Sequence, residues 1–229
     1  EVAAVIEQLR EAVLPLAARM AGRTLLELLQ LPENGFRRQD VLAWIGAGPV
    51  LFEGRWAPAT GWERLSREAA IVSGRQDWDE HLTLLAENQE QRAIAAEAND
   101  DEPDWVPVEA RKLATRSLAL RRFVLRVIDD LLVATGTPRR WSEHAAWAQR
   151  WLKDLLGGES RREAWPEPER KAAERVEIAL DRLGALDAVE GPVSLEVFAR
   201  TLTIELEGDL ARVGRFGDGV LVGSVEMGI

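Results

Sequence analysis

Seven basic side chains are the residues of this 229-residue chain best suited to act on a partner, and the chemistry they offer is charge pairing with phosphate. Arg111, Lys112, Arg116, Arg122 and Arg126 recur through one long segment. At 100° per residue they fall on the side opposite Leu113, Leu120, Val124, Val127 and Leu131. Arg37 and Arg38 stand together in the shorter segment from Gly35 to Trp44. Such groups can track a nucleic-acid backbone, and all seven are candidate DNA contacts. The same pattern is also the ordinary solvated face of an amphipathic helix, and Asp129 and Asp130 close it.

Other chemistry finds less support. Glu167, Glu169 and Lys171 could hold a metal and activate water. They follow Pro166 and Pro168, however, where acids suit the start of a helix. None of the three lysines, Lys112, Lys153 and Lys171, follows a glycine, so no phosphate-cradling loop is spelled out. Gly214, Gly217 and Gly219 precede a strand-like run and read as a hairpin turn. There is no cysteine, and the two histidines, His81 and His144, are far apart in sequence, so neither a disulfide nor a metal site is expected. No catalytic residue is assigned. Among the nine tryptophans, Trp44, Trp78, Trp147 and Trp151 share faces with Leu or Val and read as core, whereas Trp56, Trp105 and Trp165 sit near loops and prolines.

The elements that must position these groups are almost all helical by apolar period. Helices are expected at 2–14, through Thr24–Leu31, from Gly35, over Trp62–Val72, from Gln76 to about Ala98, and from Val108 to Thr135. Further helices follow over Glu143–Leu156 with Ser142 as cap, from Pro166 to Leu183, and over Ser194–Leu206. A loop carrying Gly54, Pro58 and Gly61 separates the third from the fourth. The acidic, proline-bearing run 99–107 reads as a mobile linker. Only Val220, Leu221, Val222 and Val225 have a strand's composition. The expected fold is mainly α: a multi-helix domain over 1–212, then a short C-terminal β-hairpin or an orphan strand within 213–229.

Charge narrows the function. The chain carries 39 acidic against 29 basic residues, for a net charge of −10. Residues 1–110 hold 20 acids against 10 bases, and the remainder 19 against 19. An acidic chain repels nucleic acid, so any DNA contact must come from local basic patches. No apolar run reaches the roughly 18 residues of a membrane span, and no signal peptide opens the chain, so a cytoplasmic location without membrane contact is expected.

Four stretches carry a family resemblance: Ala21-Gly-Arg-Thr-Leu-Leu-Glu-Leu-Leu-Gln-Leu-Pro32, Phe36-Arg-Arg-Gln-Asp-Val-Leu-Ala-Trp44, Arg64-Leu-Ser-Arg-Glu-Ala-Ala-Ile-Val72 and Arg212-Val-Gly-Arg-Phe-Gly-Asp-Gly-Val-Leu-Val222. Together they resemble actinobacterial proteins of the UvrD/Rep-like superfamily 1 helicase group, above all its large AddB-like members with a PD-(D/E)XK nuclease domain. The resemblance implies a helical 2B-type subdomain whose terminal strand returns to a RecA-like domain outside this chain. Ser224 stands where the family usually has Thr, and Glu226-Met227-Gly228 departs from the family's pattern, which fits a helicase-derived scaffold. The implied role is non-catalytic: duplex DNA guidance or subunit contacts in a DNA-repair and recombination protein. ATP and Mg would belong only to the longer parent. Implied partners are DNA, held weakly, the parent's RecA-like and nuclease domains, and a partner helicase subunit. The alternative is a helical protein–protein interaction module unrelated to DNA.

Overall fold

The computed structural model describes residues 14–208 and the backbone of 213–215 and 218–222. All but the last residue of the helix expected at 2–14, Gly217, and the run 223–229 with Ser224, Val225 and Glu226-Met227-Gly228 lie outside the described residues. The fold is mainly α. After a 3₁₀ turn at Leu16–Ala18 come α1 (Met20–Gln30), α2 (Arg38–Ala47), the strands β1 (Leu51–Phe52) and β2 (Arg55–Trp56), α3 (Ala59–Glu68), α4 (Gly74–Glu97) and α5 (Trp105–Gly136). Then follow α6 (Trp141–Leu156), α7 (Glu159–Arg162), α8 (Glu167–Gly184), a second 3₁₀ turn at Ala185–Ala188, α9 (Leu195–Gly208), and the strands β3 (Val213–Arg215) and β4 (Asp218–Val222). The chain divides into two compact units. One is Leu28–Thr137, and the other combines the residues up to Glu27 with those from Pro138 onward.

Within the Leu28–Thr137 unit, α4 and α5 form a long antiparallel hairpin, the most extensive helix pair of the described residues. Small residues, Ala93 and Ala96 on α4 with Ala110, Ala114 and Ser117 on α5, are buried towards its tip. Bulkier Leu120, Phe123, Val124, Val127, Ile128 and Leu131 fill the opposite end. Phe123 is the hub there: it stacks on Trp44 at 6.0 Å and meets Phe52 at 5.7 Å and Trp62 at 5.1 Å. Burying an aromatic ring of this kind contributes about 2–3 kcal/mol, and each such pairing about 0.5–1.5 kcal/mol more. Trp78, fully buried, donates its Nε1–H to the Phe36 carbonyl at 2.9 Å and so ties α4 to the turn after α1.

The run 99–107 is the connection of this hairpin. Trp105, Val106 and Pro107 already belong to α5, since the first turn of a helix leaves its N–H groups without intrahelical partners and tolerates proline. The expected loop around Gly54 is instead a two-stranded hairpin with Phe52 opposite Arg55 and Leu51 opposite Trp56. Its two turn residues, Glu53 (φ 50°) and Gly54 (φ 74°), take the left-handed conformation that a tight two-residue hairpin demands. A glutamate in the first of those places hides the turn from a composition-based reading. At the end of α3 the Ile71 N–H reaches Ser66 O and the Ala70 N–H reaches Arg67 O, a Schellman closure with Ala70 at φ 54°.

In the other unit α6 packs on α8 and α8 on α9, around Trp147, Trp151, Leu155, Val176, Leu180, Phe198 and Leu202. Two helices here are capped from far along the chain. Glu169 accepts the Met20 N–H at the start of α1 (2.8 Å), and Asp187 accepts the Trp141 N–H at the start of α6 (2.7 Å). Ser142 therefore does not cap α6 itself; it lies inside the first turn and donates its hydroxyl to Asp187. At the C-terminus β3 and β4 pair antiparallel, Val213 with Val222 and Arg215 with Asp218. Of the two expected arrangements it is the hairpin, not the orphan strand, because residues 213–215 supply the partner.

Candidate functional site

All seven basic residues singled out from the sequence lie in the Leu28–Thr137 unit, on two elements. Arg37 and Arg38 stand at the start of α2, and Arg111, Lys112, Arg116, Arg122 and Arg126 on α5. Arg37 is exposed, and Arg38 is half-buried in a shallow depression shared with Gln39, Leu42, Glu63 and Arg67. On α5, Lys112, Arg116, Arg122 and Arg126 are exposed and Arg111 is half-buried.

Most of the α5 charges face acids of the same unit. Arg111 grips Glu97 with both terminal nitrogens and Glu90 with its Nε at 3.3 Å. That grip holds the Glu97 carboxyl below its ordinary range and raises the Arg111 guanidinium. Lys112 pairs with Glu109 at 2.7 Å and lowers it likewise. Arg122 pairs with Glu53 at 2.9 Å, with its guanidinium 5.7 Å from the Phe52 ring centre. Farther along the hairpin Asp79 accepts from Arg121 and Arg75, and Arg75 also reaches Asp129. Arg121 first, and Arg75 after it, hold the Asp79 carboxyl below its usual value. An exposed pair of this kind contributes only about 0–1 kcal/mol, so none locks the hairpin alone. Their electrostatic effect matters more. The three cations Arg111, Lys112 and Arg122 face the four carboxylates of Glu53, Glu90, Glu97 and Glu109, and cations already met by carboxylates have little to offer a phosphate backbone. Arg37, Arg38 and Arg116 make no ion pair among the described residues.

The two acids and the lysine at the start of α8 are structural. Glu167 pairs with Lys171, and Glu169 binds the Met20 N–H and Arg19, whose side chain is 8% exposed. Among the described residues no group of three His, Asp or Glu side chains stands close enough to hold a metal ion. His144 is buried, stacks on Phe198 at 5.1 Å, and bonds the Val193 carbonyl.

A cleft of about 600 Å³ lies in the second unit, and Lys153, Arg162, Arg170, Glu163, Glu174 and Glu177 line part of it. Arg162 is fixed at its wall, donating Nε to Gly157 O (2.9 Å) and Nη1 to Glu177 (2.6 Å) beside the Trp165 ring. The cleft mixes both signs of charge and converges on no single group.

What the sequence reading passed over is the far end of the hairpin. Trp105 is 65% exposed and Val108 50% exposed. They sit one turn apart on α5, directly after the exposed acids Asp100, Asp101, Glu102 and Asp104. A tryptophan beside prolines was the available signal. No protein-family model matches this chain, and comparisons with curated proteins and with solved structures return no match.

Proposed function

We propose that this chain is a non-catalytic helical module of a helicase–nuclease-like DNA-repair protein, acting through contacts with other subunits or domains and not by gripping duplex DNA. One observation carries the choice between those two roles. Three of the five candidate basic side chains of α5, Arg111, Lys112 and Arg122, are neutralised by Glu53, Glu90, Glu97 and Glu109, while large apolar side chains of the same hairpin, Leu84, Ile94, Trp105, Val108 and Leu118, stand exposed. Exposed apolar groups rimmed by charge are the ordinary composition of a protein interface. The helicase–nuclease context rests on the four resembling stretches alone.

A second reading, weak contact with DNA, is favoured by Arg37, Arg38 and Arg116, which make no ion pair among the described residues. Titration of labelled duplex and forked DNA at about 50 and 200 mM salt separates the two, because binding through several phosphates weakens by orders of magnitude over that range. Binding no tighter than about 10 µM is expected at the lower salt, with any residue of it lost in the triple variant R37A/R38A/R116A. Sub-micromolar, salt-sensitive binding that R111A/R122A abolishes would overturn the proposal.

A further inference from the structure

The outer side of α9 carries an exposed apolar stripe. Val197 is 46% exposed and Ile204 65%, and Thr201 lies between them, half-buried. With Gly208 they follow the spacing i, i+4, i+7 and i+11, which lines up along one side of a helix. Leu195, Phe198, Leu202 and Leu206 take the side that faces the core. The Thr201 hydroxyl donates to Val197 O at 2.9 Å, so the one polar side chain of the stripe is satisfied by its own helix. The other exposed large apolar side chains described in this unit, Leu14, Ile178 and Val189, stand singly on separate elements.

We infer that residues 2–13 form a helix that lies along this stripe. Val2, Ile6, Leu9 and Val13 repeat the spacing i, i+4, i+7 and i+11, with Val5 beside them, and Glu7 and Glu11 fall on the opposite side. A helix of about 12 residues is marginal in water by itself, so such a face needs a surface to pack on. The two stripes match in length, at about 18 Å each. Helices that share one apolar spacing pack side by side at a shallow crossing angle. The point of attachment selects this occupant. The segment joins the 3₁₀ turn Leu16–Ala18 through Leu14 and Pro15, and that turn packs against α9 itself, within the same unit. So short a tether gives the segment an effective concentration on the order of millimolar, which a second copy or a foreign helix would have to exceed. The inference stands apart from the helicase–nuclease reading and does not rest on it.

The chain has no cysteine, so a disulfide introduced by paired substitution reports the contact directly. With the two stripes in register, Ile204 meets Leu9 if the helices run parallel and Ile6 if they run antiparallel. Mild oxidation of the full chain at low micromolar concentration should therefore close an intrachain disulfide in either I6C/I204C or L9C/I204C. The control A4C/I204C should stay open, since Ala4 lies on the far side of the segment. Thermal unfolding gives a second readout. Gln suits an exposed helix position as well as Ile does, so Ile204→Gln is neutral on a bare surface. Beneath the segment it should lower the Tm by at least about 4 °C. Ile6→Gln should do the same, and I6Q/I204Q should fall short of the sum of the two. The inference is overturned if neither designed pair closes faster than the control, if disulfides form only between chains, or if Ile204→Gln leaves the Tm unchanged. None of these outcomes touches the DNA titration, which tests the proposed function separately.

Discussion

The carbonyl oxygen of Val193 accepts two hydrogen bonds from the start of α6: the Arg139 backbone N–H at 2.9 Å and the His144 Nε2 at 3.0 Å. Because that oxygen only accepts, His144 carries its proton on Nε2, and its buried Nδ1 finds no partner among the described residues. Burial pushes the His144 pKa down; the Val193 bond opposes it in part, and Arg139 and Glu143 add smaller influences of opposite sign. The unfolded chain therefore takes up a proton at a pH where the folded one does not. Stability is complete above the ordinary histidine range, near pH 6.5, and is lost as pH falls below it. The melting temperature is expected to drop between about pH 7.5 and 5.5, and His144→Gln to flatten that dependence. Thermal unfolding followed by circular dichroism at the two pH values checks it.

Two substitutions should move stability against helix propensity. Gly22 lies in α1, and a Cβ there would stand 2.0 Å from the Leu16 carbonyl oxygen. Gly22→Ala, ordinarily favourable in a helix by about 1 kcal/mol, should instead destabilise by about 1–3 kcal/mol, since backbone must give way. Ala70, at φ 54° in the Schellman closure of α3, holds a conformation that costs a residue with a Cβ about 1–2 kcal/mol. Ala70→Gly should therefore gain about 0.5–1 kcal/mol after the unfolded chain's added freedom is subtracted. Urea unfolding of both variants gives the signs directly.

Glu167 and Glu169, two residues apart, should respond very differently to removal. Glu167 makes an exposed pair with Lys171, so Glu167→Ala should scarcely change unfolding. Glu169→Ala removes a carboxylate partner of the nearly buried Arg19 and the acceptor of the Met20 N–H together, and a loss of about 1–3 kcal/mol is expected. Equal effects in chemical denaturation would refute the capping role given to Glu169.

Trp78 combines a fully buried ring with the bond to Phe36 O. Trp78→Phe keeps most of the packing and loses the donor. It should cost about 1–3 kcal/mol, against about 3–5 kcal/mol for Trp78→Ala. Equilibrium unfolding of the pair separates the hydrogen bond from the cavity.

Much of the architecture could be read from periodicity alone. Leu120, Val124, Val127 and Leu131 are buried as their spacing demanded, and so are Trp44, Trp78, Trp147 and Trp151. What escaped were features set by partners distant in sequence or by conformation without compositional marks. The β1–β2 turn uses Glu53 where Gly or Asn would have announced it, and the cap of α6 comes from Asp187, 45 residues past Ser142. The candidate basic residues were visible as a stripe on α5, but their neutralisation was not. Glu53, Glu90 and Glu97 belong to other elements, and only the packing of β1–β2 and α4 against α5 could reveal them.

The divided unit sets an order on synthesis. Leu28–Thr137 is continuous in sequence, so it can close as soon as it has emerged. The segment with Leu16 and Leu25, both buried in the finished chain, must wait for α8, whose Glu169 lies 149 residues beyond Met20. At a translation rate of roughly 5–20 residues per second that wait is on the order of 10 seconds. A stretch made before the continuous unit thus settles after it, and for that interval its leucines are exposed to whatever holds nascent chains.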